Sequence, residues 1–127
     1  MNNPYAAGAA YIDGCYMPIG EAAIPITDWG YRRSDVTYDV VGIWEGWFFR
    51  LDDHIRRFRA SMQKLRLEPT EGDDGIRVVL NRCVALSGLR NAYAAMDCLR
   101  GRPKPARRTI LPMRATTSRR LPSPGCG

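Results

Sequence analysis

Apolar residues alternate with polar ones in the first half of the chain and then recur at steps of three and four, a change of period that predicts strands followed by helices. Tyr11-Ile12-Asp13-Gly14-Cys15-Tyr16 reads as a tight hairpin, because Asp-Gly tolerates the positive φ of a two-residue type I′ turn. A short strand is expected around Ile24 to Ile26, with Pro25 best placed on an edge. Trp29-Gly30 then reads as loop. Val36, Tyr38 and Val40 alternate with polar partners, and Glu45-Gly46 joins Val40–Trp44 to Trp47–Arg50 in a second hairpin rich in β-branched and aromatic residues. Ile55, Phe58, Met62 and Leu65 mark an amphipathic helix that starts near a capping Asp52 or Asp53 and ends by Leu67, ahead of Pro69. A second helix is expected from about Asp74 to Leu86, burying Ile76, Val79, Leu80, Cys83 and Val84 and stopping at Gly88. Ala92–Leu99 returns as a strand in which Asp97 is an awkward occupant.

With 127 residues the chain has room for one domain and a modest core. The expected boundary falls at residue 101, with residues 102–127 an irregular tail that holds five prolines and no strand or helix periodicity. Net charge is +6, which raises the question of nucleic-acid binding. Eight of the basic residues lie in the last 28 positions with no acidic residue among them, leaving 11 basic and 13 acidic groups in the first 99. The basicity therefore belongs to the tail, and a nucleic-acid partner is the weaker alternative, since the tail lacks the interleaved aromatics of a single-strand groove. Four scattered cysteines and one histidine offer no metal-ligand spacing, so no metal site is expected and the thiols read as free in a reducing cytoplasm. No stretch has membrane-spanning length.

Two ordered blocks carry a specific likeness. Ser34, Asp35, Thr37, Tyr38, Asp39 and Val40 form the first, and Phe49, Arg50, Leu51, Asp52, Asp53, His54 and Arg57 the second. Their order and separation resemble the front half of the class IV (fold type IV) pyridoxal-phosphate aminotransferases, in the branch of amine and branched-chain transaminases. The likeness runs from Ala10 to about Lys104 and fades near Arg107 into Arg-, Ser- and Pro-rich sequence, as a truncated or frame-shifted gene product would.

The resemblance implies an α+β fold, an antiparallel sheet packed by two helices, forming the N-terminal domain of that architecture. It implies amino-group transfer between an amine or amino acid and a keto acid, with pyridoxal 5′-phosphate as cofactor and a possible homodimer. Arg57 matches the family's phosphate-anchoring arginine, a task suited to the fixed donor fork of a guanidinium. Tyr38 and Val40 match positions lining the substrate pocket. Arg33 replaces a histidine common in amine transaminases and would favour a carboxylate-bearing substrate. His54 reads as a structural hydrogen-bonding residue. Lys64 and Lys104 are the only lysines, and neither falls where the family holds its cofactor aldehyde, so no catalytic residue is assigned and the chain alone is expected to be inactive. A lyase such as aminodeoxychorismate lyase shares the cofactor and ranks below the transaminase reading.

Overall fold

The computed structural model describes residues 2–103. Its strands are β1 (Ala9–Ile12), β2 (Cys15–Pro18), β3 (Val36–Trp44), β4 (Trp47–Phe48) and β5 (Ala92–Leu99). Its helices are α1 (Trp29–Arg33), α2 (Leu51–Lys64) and α3 (Asp73–Ser87), with a single 3-10 turn over Ile19–Glu21. The architecture is α+β, as expected. Two antiparallel sheets are present: β1 pairs with β2, and a three-stranded sheet runs in the order β4-β3-β5.

Both hairpins turn where the sequence places them. Asp13 and Gly14 have φ of 50° and 87°, and Glu45 and Gly46 have φ of 52° and 85°, the paired positive values of a type I′ turn. Glycine takes the second position of each turn, where a side chain would be strained.

The core lies between the inner face of the three-stranded sheet and the two long helices. Val41 and Ile43 from β3 and Ala94, Met96 and Cys98 from β5 meet Ile55, Phe58 and Met62 of α2 and Ile76, Val79, Leu80 and Cys83 of α3. The three- and four-residue spacing on the helices supplies one continuous apolar stripe each, and burial of that stripe holds them against the sheet. Val84, expected in this set, is only partly buried and packs at its margin.

Four local expectations are corrected. No strand forms at Ile24 to Ile26, where only a turn precedes α1. Trp29-Gly30 opens a short helix, because the Asp28 side chain accepts a hydrogen bond from Gly30 N at 2.8 Å and so caps it. The cap position of α2 is Arg50, in left-handed conformation with no side-chain cap; Asp52 and Asp53 sit within the first turn, where their charge favours the positive helix end. Cys83 and Cys98 are free buried thiols, whereas Cys15 is disulfide-bonded, so free thiols throughout do not hold. The tail from Lys104 onward lies outside the described residues.

Arg100, counted above among the tail's basic residues, belongs instead to the fold. Its Nε meets Asp35 Oδ2 at 2.8 Å, while Nη2 and Nη1 donate to the carbonyls of Leu65 and Arg66 at 2.6 and 3.1 Å. One guanidinium thus ties the start of β3 and the end of α2 to the end of β5. Asp28 makes a second tie, accepting from Gly101 N at 3.2 Å.

Candidate functional site

Alternation along β3 decides which side chains share a surface. Asp39, Val41 and Ile43 point inward and are buried, whereas Tyr38, Val40 and Trp44 stand on the outer face and are exposed. In this inner row Asp39 is the one charged residue, and it lies opposite the fully buried Met96.

A buried carboxylate needs partners, and α2 supplies them. Leu51 to Lys64 crosses the inner face with Ile55 and Phe58 seated in the core, which brings the polar flank carrying His54 and Arg57 alongside Asp39. Arg57 Nε donates to Asp39 Oδ2 at 2.7 Å and Arg57 Nη2 to Oδ1 at 2.8 Å, a two-point grip. His54 Nδ1 sits 2.8 Å from the same Oδ1. Burial alone would push the Asp39 carboxyl up, but the hydrogen bonds and positive charge of Arg57 and His54 outweigh it and hold the group below its ordinary value. Asp39 raises Arg57 in turn. The Asp39 side chain is 3% exposed and that of Arg57 68% exposed, so the pair has a buried root and an open tip.

That tip is available. Arg57 Nη1 makes no hydrogen bond among the described residues, and it belongs to the exposed part of the fork. Two outward donors on a fixed, permanently charged plane suit a phosphate monoester.

Arg57 and Tyr38 reach β3 from opposite faces, so the described residues do not by themselves bring them into the single space expected from the sequence. Among the described residues β4 pairs only with Ile43 and Trp44, and no strand pairs with Val36 to Val40 on the side away from β5. Arg33, in the last turn of α1, stacks its guanidinium 4.9 Å from the Trp29 ring centroid and is exposed. Lys64 is exposed in the last turn of α2.

The sequence reading missed one feature and only half-read another. Asp39 appeared there only as a motif position, although alternation already places it on an apolar face. The other is the environment of Asp97, noted there only as an awkward strand occupant: it lies opposite Tyr38 on the outer face and is 9% exposed, with Oδ2 lacking a hydrogen-bond partner among the described residues. Burial pushes this carboxyl up to about 6. No cluster of three His, Cys, Asp or Glu side chains capable of holding a metal forms among the described residues, and no helix there is long and apolar enough to cross a membrane.

No family profile matches the chain. Individual relatives do. D-alanine aminotransferase of Listeria innocua serovar 6a (strain ATCC BAA-680 / CLIP 11262) is 30% identical over 92 residues, covering 72% of this chain and 32% of the relative. Aminodeoxychorismate lyase of Bacillus subtilis (strain 168) is 26% identical over 84 residues, covering 66% of this chain and 29% of the relative. A T.th. branched-chain amino acid aminotransferase, solved as a complex with N-(5′-phosphopyridoxyl)-L-glutamate, superposes with a TM-score of 0.74 at 20% identity over 85% of this chain and 38% of that one. The Escherichia coli branched-chain enzyme gives the same TM-score at 11% identity, over 85% of this chain and 39% of its own, a likeness of fold alone. The chain spans about a third of the length of the relatives it matches in sequence. Sequence and fold together identify the chain as a class IV aminotransferase-like protein, built as the N-terminal part of that architecture.

Proposed function

We propose that this domain supplies the phosphate-anchoring part of a pyridoxal-phosphate site serving amino-group transfer between an amine or amino acid and a keto acid. The observation that carries the reading is the open tip of Arg57, held from behind by a buried carboxylate. Arg57 would hold the cofactor phosphate. Tyr38 and Val40, on the outer face of β3, would line the substrate side, and Arg33 would favour a substrate bearing a carboxylate.

When bound, pyridoxal phosphate supplies the electron-accepting ring on which amino transfer depends. The chain's own contribution is narrower: a fixed charge for the phosphate and a wall for the substrate. A cofactor-holding lysine requires a depressed pKa and a fixed place against the aldehyde. Lys64 is exposed at the end of α2 and has no such fixed place, so the anchor is proposed without turnover in this chain alone. Association as a homodimer belongs to the same proposal.

Equilibrium dialysis against pyridoxal phosphate and against pyridoxal tests this. The chain should bind the phosphorylated compound about tenfold more tightly, as one or two charge-assisted hydrogen bonds allow. Inorganic phosphate should compete, and Arg57→Gln should erase the difference. Equal binding of both compounds by the unaltered chain would refute the anchor.

A further inference from the structure

A carboxylate set against a phosphate anchor is at first sight counterproductive, because it cancels the charge that attracts the phosphate. Asp39 also interrupts an apolar row, between Val41 on its own strand and Met96 across the ladder. An apolar residue there would avoid desolvating a charge, so stability gives no reason for it.

The geometry of the contact supplies a different reason. Asp39 engages Nε and Nη2 together, at 2.7 and 2.8 Å. That choice of nitrogens leaves Nη1 at the far end. His54 Nδ1, 2.8 Å from Oδ1, is a further contact to the carboxylate, and it donates in the tautomer that carries the proton on that nitrogen. Arginine otherwise has several free torsions, and ordering it on ligand arrival costs entropy. Here that ordering is already done by the sheet.

We propose that Asp39 is the positioning residue of the anchor, gripping Nε and Nη2 so that the Arg57 fork is fixed with Nη1 presented to a phosphate monoester. The inference rests on Arg57 being the anchor. Asp39 itself touches no ligand. Its gain from preorganisation would exceed its loss from charge cancellation, because the carboxylate occupies Nε and Nη2 and leaves Nη1 for a phosphate.

The two roles of a carboxylate predict opposite signs. If Asp39 merely neutralises Arg57, Asp39→Asn restores positive charge and tightens phosphate binding. If it positions Arg57, the same change loosens it. The measurement is the ratio of pyridoxal to pyridoxal-phosphate dissociation constants, which cancels any general effect on the ring site, with thermal melting to establish that each variant is folded. Asp39→Asn should lower the ratio about fivefold, as loss of one well-placed ionic hydrogen bond does. Asp39→Glu keeps the charge but displaces the grip by one methylene, and should lower it as well. It also serves if the asparagine variant does not fold. A ratio raised by Asp39→Asn, or left unchanged by Asp39→Glu, would overturn the positioning role. A ratio of one in the unaltered chain would instead overturn the anchor assignment on which it rests.

Discussion

Tyr38 and Asp97 stand directly opposite each other in the β3–β5 ladder, one exposed to solvent and the other buried with an oxygen that has no partner among the described residues. Burial raises the Asp97 carboxyl from 3.8 to about 6. The folded state therefore holds this proton over a window in which the unfolded chain has released it. Its contribution to stability is complete below about pH 4 and declines as pH rises toward 6, after which the loss is constant. Asp97→Asn should remove that decline and be the more stable protein at pH 7.5, by about 2 kcal/mol, below the ceiling set by the shift. Urea denaturation of both proteins from pH 4 to 8 checks it; parallel curves would show that Asp97 does not titrate differently in the fold.

Arg100 should prove a fold residue and not part of a cationic tail. Arg100→Ala removes donors to Asp35 and to the last carbonyls around the end of α2, and should cost about 1–3 kcal/mol. Arg100→Lys keeps the charge but not the fork, and should recover only part of that loss. Full recovery by lysine would mean that charge alone matters there.

Gly30 sets how closely α1 approaches β5. A Cβ at this position would lie 2.6 Å from Leu99 Cδ2 and 2.9 Å from Leu99 Cβ and Cγ. Alanine improves helix propensity by up to ~1 kcal/mol, yet the clash involves the root of the leucine side chain and cannot be relieved by a rotamer change alone. Gly30→Ala should therefore destabilise, and pairing it with Leu99→Ala should cost less than the two separate losses summed. Additive losses in a double-mutant cycle would place the strain elsewhere.

Much of this architecture is legible before folding. The periods of α2 and α3, the two Asp-Gly and Glu-Gly turns and the alternation of β3 are local signals, and each element appears where it is expected. What escapes is set by contacts distant along the chain. Helix α1 has five residues with a glycine second among them, and exists because Asp28 caps it and Gly101 closes on it. Arg100 counts as one more tail charge until Asp35, 65 residues earlier, is brought beside it. The candidate site divides in the same way. Arg57 is visible through its motif, but its grip by Asp39 requires β3 and α2 to be packed together. The relation of Arg57 to Tyr38 is not formed by the described residues alone, because alternation turns Tyr38 away from the helices.

Lys64 should not behave as a cofactor lysine. Borohydride reduction of the chain with pyridoxal phosphate, followed by peptide mass analysis, should give sparse labelling and no amino transfer to a keto acid. Stoichiometric labelling of Lys64, with turnover abolished by Lys64→Ala, would reverse that conclusion.

The proposed phosphate site stands or falls with the tip of Arg57. Its most direct test is nitrogen-15 NMR of the arginine-labelled chain, following the side-chain Nε–H resonance of Arg57, identified by its loss in Arg57→Lys. That resonance should shift on titration with pyridoxal phosphate and with inorganic phosphate, and remain still with pyridoxal. An Arg57 signal that stays fixed while other arginines respond to the phosphate would contradict the assignment of this residue as the anchor.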